Sequence, residues 1–135
     1  MLKLIIGVKG TGKTKNLINL VNTASENSHG DVVCIEKGTK LRYDVKYTAR
    51  LIDTNEYYVT DAQSLYGFIA GILASNHDVT DLFIDSALKI CQNDIVAFDA
   101  FVEEVNTLAA KLNVKVTMTS SIPVEEASEI VKKYL

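Results

Sequence analysis

The feature that most constrains this chain of 135 residues is a glycine-rich loop at residues 7–14, which reads Gly-Val-Lys-Gly-Thr-Gly-Lys-Thr. The largely apolar residues 2–6 before it predict a buried strand. Residues 13–25 after it place apolar side chains on one helical face. A loop that joins a buried strand directly to a helix points successive backbone N–H groups at one place, which predicts a binding site for an anion.

The loop matches the pattern G-x-x-x-x-G-K-[ST] at every fixed position, and this pattern is typical of nucleoside triphosphate binding. We expect Lys13 to reach the β- and γ-phosphates, which also makes it a catalytic candidate, and the Thr14 hydroxyl to ligate Mg²⁺. The predicted nucleotide-binding residues form one run: Gly7, Val8, Lys9, Gly10, Thr11, Gly12, Lys13, Thr14 and Lys15.

Asp85 is the carboxylate that we expect to complete the Mg²⁺ site. It follows the apolar strand predicted at residues 82–84. Ligands of open α/β sheets gather at the carboxyl ends of the strands, so Asp85 and the loop would share one edge. Mg²⁺ keeps several waters, and we expect Asp85 to act through one of them.

The remainder of the chain alternates predicted strands with amphipathic helices. Further strands are predicted at 32–35, 50–53 and 114–118, and further helices begin at Asp61, Asp94 and Pro123. Apolar strands joined by helical crossovers favour a mostly parallel sheet covered on both faces. We therefore predict one α/β domain over residues 1–135, a three-layer α/β/α sandwich with about five strands.

Composition and charge argue against some classes of binding partner. Hydrophobic residues make up 47% of the chain and the net charge is −3, so no overall basic field indicates nucleic acid. No apolar run has the length of a membrane span. Cys34 and Cys91 lack metal-site spacing, and Cys34 is expected in the core. We expect a cytoplasmic protein with no membrane or nucleic-acid partner.

Taken in order, these motifs resemble the RecA/KaiC-like branch of P-loop ATPases over nearly the whole chain. Asp85-Ser86 resembles the Walker B motif of that branch, and the resemblance implies ATP and Mg²⁺ as ligands. It implies that Glu36, which ends the second strand, polarises the attacking water. It also implies that Thr119, which follows the last predicted strand, senses the γ-phosphate.

The same resemblance has limits that bear on function. No long loop after Asp85 or after Ser121 resembles the DNA-binding loops of recombinases, and no segment before the first strand resembles their polymerisation segment. The chain also resembles a group of small stand-alone bacterial ATP-binding proteins of unassigned role. The resemblance therefore implies the RecA-like fold and ATP, and it does not imply recombination.

Residues 37–50 form a basic segment with a local charge of +4. We expect most of it to be a solvated surface, with Arg42 and Arg50 as the cations to test for phosphate stabilisation. We expect the tyrosines in or beside it to be partly buried packing residues; they are Tyr43, Tyr47, Tyr57 and Tyr58.

Several functions remain open at this point. The main one is a slow ATPase or an ATP-dependent switch; the alternatives are a small-molecule kinase and an ATP-binding adaptor that does not hydrolyse. A GTPase is disfavoured because the segment 39–42, Thr-Lys-Leu-Arg, lacks the aspartate that would bind guanine. A homo-oligomer or an unidentified protein partner also stays open.

Overall fold

The computed structural model describes residues 2–135 and contains a five-stranded sheet in which every neighbouring pair is parallel. The strand order is β1-β5-β4-β2-β3. All carboxyl ends therefore lie at one edge, as the predicted α/β fold requires. The strands are β1 Leu2–Ile6, β2 Asp31–Glu36, β3 Ala49–Asp53, β4 Val79–Ile84 and β5 Lys115–Ser120.

Helices cover both faces of this sheet. They are α1 Lys13–Asn27, α2 Ala62–Ser75, α3 Ala87–Ile90, α4 Ile95–Leu112 and α5 Glu129–Lys132, with 3₁₀ turns at Thr54–Tyr57 and Val124–Glu126. Leu17 and Val21 of α1 pack in one apolar cluster with Cys34 of β2. The apolar residues of α2 and α4 pack in a second cluster with the alternate β2 residues Val33 and Ile35. The predicted three-layer sandwich is confirmed.

Capping residues fix where α2 and α4 begin and where α4 ends. Asp61 accepts from the Ser64 backbone N–H, and the Ser64 hydroxyl accepts from the Asp61 N–H in return. Asp94 caps α4 through the Ala97 N–H. Asn113 ends α4 in the left-handed conformation, with φ of 57°. These ends agree with the sequence prediction because capping depends on neighbouring residues alone.

The helix predicted to begin at Pro123 is wrong in its extent. A 3₁₀ turn over Val124–Glu126 comes first, and α5 begins only at Glu129. Ser128 interrupts the helix because it takes an extended conformation and caps α5 by accepting from the Val131 N–H.

The prediction that the tyrosines beside the basic segment are partly buried is also wrong for most of them. Tyr43, Tyr47 and Tyr58 are 84%, 97% and 86% exposed, and Tyr57 is 49% exposed. The segment instead anchors itself with Leu41 and Val45, which pack under it against α1. Cys34 is buried in the core as expected, and Cys91 is buried too.

Within residues 2–135, no helix combines the length and the apolar composition needed to cross a bilayer.

Candidate nucleotide-binding site

Glycines of the loop between β1 and α1 adopt positive φ angles that other residues rarely adopt. Gly12 is the N-cap of α1 and adopts the left-handed conformation, with φ of 81° and ψ of 17°. A Cβ at Gly7 would lie 2.8 Å from the Thr11 Oγ1 atom, so the Thr11 side chain would have to move, and the φ of 155° would strain another residue. These two glycines let the chain reverse tightly from the strand into the helix.

The positive end of α1 faces this loop, and the helix itself places no acidic residue in its first turn. Gly12 offers no side-chain cap to the first N–H groups. The Lys13 ammonium folds back over the loop and donates to the Val8 carbonyl oxygen at 2.8 Å. The positive end of the α1 dipole and the Lys13 ammonium therefore lie at the same loop, which favours an anion such as phosphate.

Asp85 is the point where three segments of the chain meet. Its Oδ1 atom accepts from the Thr14 hydroxyl at 3.0 Å and from the Thr119 hydroxyl at 2.9 Å. Thr119 is 1% exposed and also accepts from the Ser86 N–H at 2.8 Å. The structure therefore brings together the predicted metal residues Thr14 and Asp85 and the predicted sensor Thr119.

Strand order explains this meeting. The last strand, β5, lies between β1 and β4, and Ile84 is in register with Met118. Asp85 and Thr119 each lie one residue beyond that pair, so their side chains emerge side by side. Ser86 then leaves the strand in the left-handed conformation, with φ of 56°, a strained geometry that is common at functional sites.

A cleft of about 460 Å³ opens above these groups. Among the described residues, its lining includes one carboxylate, Asp85, and five lysines: Lys9, Lys13, Lys15, Lys40 and Lys89. A cleft with this excess of positive charge attracts polyanions such as the triphosphate of a nucleotide.

The lining also includes residues that the sequence alone did not assign to the nucleotide site. Lys40 and Leu41 come from the basic segment, and Lys89, Asn93 and Ser121 come from the segments after β4 and β5. No local motif marks these residues, and only their position after strand ends could have suggested them. Neither Arg42 nor Arg50 lines this cleft.

Glu36 does not line this cleft. It lines a neighbouring cavity, and its carboxylate binds backbone N–H groups of the turn that follows β2. Ile35 is in register with Ile84, which places Glu36 next to Asp85. The Glu36 carboxylate is 2% exposed and accepts from the backbone N–H groups of Lys40 and Leu41, each at 3.1 Å. Burial raises the pKa of this carboxyl, although the two backbone hydrogen bonds lower it. The nearby charges of Asp85 and Asp53 raise the pKa further.

The residues present fit a Mg²⁺ ion that is shared with a triphosphate. Among residues 2–135, no three His, Cys, Asp or Glu side chains gather into a cage for a metal. Mg²⁺ in nucleotide sites needs only one or two protein oxygens, since phosphates and waters supply the others. Thr14 and Asp85 offer a hydroxyl and a carboxylate in contact with each other.

A solved structure shares this fold. It is a KaiC-like protein, PH0186, from the hyperthermophilic archaeon Pyrococcus horikoshii OT3, with a TM-score of 0.71 and 17% sequence identity. The superposition covers 98% of this chain and 66% of the KaiC-like protein. The chain matches no protein-family model and none of the curated proteins. At this identity the likeness shows the fold alone, and it confirms the predicted α/β/α fold with a parallel five-stranded sheet.

Proposed function

We propose that this chain binds Mg·ATP in the cleft at the carboxyl edge of the sheet and hydrolyses it slowly, acting as an ATPase or an ATP-dependent switch. The observation that carries the proposal is the contact of Thr14 with Asp85 beside the loop. A loop for the phosphates and a pair of oxygens for Mg²⁺ are thereby adjacent, as binding of the pair requires.

Each group then has one role in binding. The backbone N–H groups of residues 7–15 and the Lys13 ammonium hold the β- and γ-phosphates. The Thr14 hydroxyl ligates Mg²⁺, and Asp85 contacts it through water. The bound ion would offset the phosphate charge and polarise the terminal phosphoryl group.

Glu36 is the proposed activator of the attacking water. Burial raises its pKa, which makes its carboxylate a stronger base. Each of its oxygens accepts one backbone hydrogen bond, and each keeps a second lone pair for a water. Thr119 would sense the γ-phosphate indirectly, since its hydroxyl donates to the Asp85 oxygen that also accepts from Thr14.

Slow turnover is part of the proposal. Lys13, Lys40 and Lys89 line the cleft, whereas both arginines lie outside its lining. Arginine fingers account for large rate increases in related chemistry. Without one in the cleft, a single chain is expected to hold ATP much longer than a fast enzyme would.

The free thiols Cys34 and Cys91 fit a reducing compartment, and the cytoplasm is the location that we propose. An assembly of several copies, or an unidentified protein partner, would add to this function and is not needed for binding.

Thermal unfolding with Mg·ATP tests the binding. At a hundredfold excess over Kd, the ligand should stabilise the fold by about 2.7 kcal/mol. Lys13→Ala should abolish this gain, whereas Lys115→Ala should keep it, because Lys115 begins β5 at the opposite edge of the sheet. Absence of a Mg·ATP effect on the unchanged protein would end the proposal.

Single-turnover hydrolysis separates an ATPase from an adaptor. Glu36→Gln should slow cleavage by about 10²–10⁴-fold with nucleotide binding retained. Glu104→Gln, a change at an exposed position of α4, should cleave like the unchanged protein. Binding without any cleavage by the unchanged protein would favour the adaptor.

A further inference from the structure

A second cavity lies beside the nucleotide cleft, past the carboxyl ends of β2 and β3 and along β3 from Arg50 onward. Its volume is about 290 Å³, which is at the lower end for ligand sites and suits a small metabolite. The charged and aromatic residues of its lining are Glu36, Arg42, Arg50, Asp53, Glu56 and Tyr57. No described residue lines both this cavity and the nucleotide cleft, so the two are separate sites.

The arginines of the chain are concentrated here. The sequence contains two, Arg42 and Arg50, and both line this cavity. The Arg42 guanidinium lies 4.8 Å from the centre of the Tyr43 ring, and its Nη2 atom donates to the Tyr43 hydroxyl at 2.9 Å. The planar fork of a guanidinium matches a carboxylate better than an ammonium group does. Two such forks in one cavity indicate a site for a carboxylate ligand.

Carboxylates line the same cavity without neutralising the arginines. Among residues 2–135, none of the three carboxylates Glu36, Asp53 and Glu56 forms an ion pair with Arg42 or Arg50. The Asp53 Oδ1 atom accepts two backbone N–H groups, which fixes the orientation of the carboxylate. Positive and negative groups are thus held apart in one small space, and a ligand with both charges could pair with each set.

We propose that this cavity is an effector site for a free α-amino acid. The carboxylate of the ligand binds Arg42 and Arg50, and its ammonium group binds Asp53 and Glu56. Tyr57, which is half exposed, provides an aromatic face beside the ligand.

A single turn connects this site to the nucleotide cleft. Asp53 accepts from the Gly38 N–H at 2.8 Å, and Glu36 accepts from the N–H groups of Lys40 and Leu41 later in the same turn. Gly38 and Thr39 line the amino-acid cavity, whereas Lys40 and Leu41 line the nucleotide cleft. The turn is therefore the wall between the two sites.

This shared wall predicts coupling. An amino acid that favours one conformation of the turn changes nucleotide affinity, and the nucleotide changes amino-acid affinity by the same factor. The coupling rests on the proposed ATP binding, whereas binding of the amino acid does not.

Thermal unfolding of the full chain with each of the twenty common amino acids tests the site. At least one should raise Tm by several degrees at millimolar concentration, and Arg42→Ala and Arg50→Ala should each lower its affinity about tenfold or more. The matched control is Lys46→Ala, because Lys46 lies in the same basic segment, pairs with Glu26 and does not line the cavity. Lys46→Ala should keep the full shift.

Two further measurements separate this proposal from the proposed function. Lys13→Ala should lose the response to Mg·ATP and keep the response to the amino acid. In the unchanged protein, the amino acid should alter the Kd of a non-hydrolysable ATP analogue by at least twofold. A missing change in Kd would overturn the coupling and leave binding of the amino acid in place.

Other results would overturn the site itself. No stabilisation by any of the twenty amino acids would do so, as would full binding by Arg42→Ala and Arg50→Ala. If Arg50→Ala fails to fold, Arg50→Lys keeps the charge without the fork and should still weaken binding. Unchanged affinity in Arg50→Lys would then count against the site.

Discussion

The Thr14 hydroxyl donates to the Asp85 Oδ1 atom at 3.0 Å, although 71 residues separate the two in the chain. This hydrogen bond joins the first turn of α1 to the end of β4. It brings the two oxygens expected to serve Mg²⁺ into contact in the protein itself. A Mg²⁺ ion bound with ATP would replace a contact that is already formed, so little reorganisation is needed.

Asp85→Asn should weaken Mg·ATP binding by about 10–100-fold, because an amide that contacts the ion through water lacks the charge of the carboxylate. The affinity of Asp85→Asn for ATP in the presence of EDTA should change much less, since the backbone N–H groups of the loop and Lys13 remain. Calorimetric titration with and without Mg²⁺ measures both affinities. Equal losses under the two conditions would argue against a role in metal binding.

Thr119→Val should destabilise the fold by about 1–3 kcal/mol. The change removes the acceptor of the partly buried Ser86 N–H and the donor to Asp85, and a polar group left unpaired away from water is costly. Thr119→Ser keeps the hydroxyl and should lose less stability than Thr119→Val. Chemical denaturation gives the free energies of unfolding. An unchanged free energy of unfolding in Thr119→Val would contradict the prediction.

Gly12→Ala should destabilise the fold by about 1–2 kcal/mol and should impair nucleotide binding. A Cβ at Gly12 meets no atom within 4 Å, so the cost is the strain of its φ of 81°. Gly67→Ala is the matched control, because Gly67 lies inside α2 with open space around it. The free energy of unfolding of Gly67→Ala should rise by roughly 0.5–1 kcal/mol. Similar unfolding curves for the two variants would contradict the argument.

The ionisation of Glu36 should make stability depend on pH. Its pKa in the folded protein is above the ordinary value of 4.5, so folding favours the neutral carboxyl. The stability it contributes is therefore complete below about 4.5 and is lost as pH rises through the folded pKa. Glu36→Gln cannot titrate, so the unchanged protein should lose stability relative to it over that interval. Unfolding free energies measured across the pH range check this, and parallel curves would contradict it.

The sequence predicts the parts of the fold that depend on neighbouring residues. The loop at residues 7–14, the cap residue Asp94 and the left-handed end of α4 at Asn113 follow from backbone conformation and local hydrogen bonds. The apolar runs predict the strands because a strand buried on both faces is apolar throughout. The helix predicted from Pro123 is wrong in its extent. A favourable first residue does not show where a helix ends, and Ser128 caps a separate helix here.

Tertiary structure alone decides what lies across the sheet. The placement of β5 between β1 and β4 puts Thr119 against Asp85, and no local pattern contains that strand order. The same holds for Arg42 and Arg50, which the fold directs to a separate cavity and away from the phosphate loop. Local conformation is fixed by steric limits and hydrogen bonds between near neighbours. Contacts between distant residues depend on how the whole chain buries its apolar surface, and so they appear only in the folded protein.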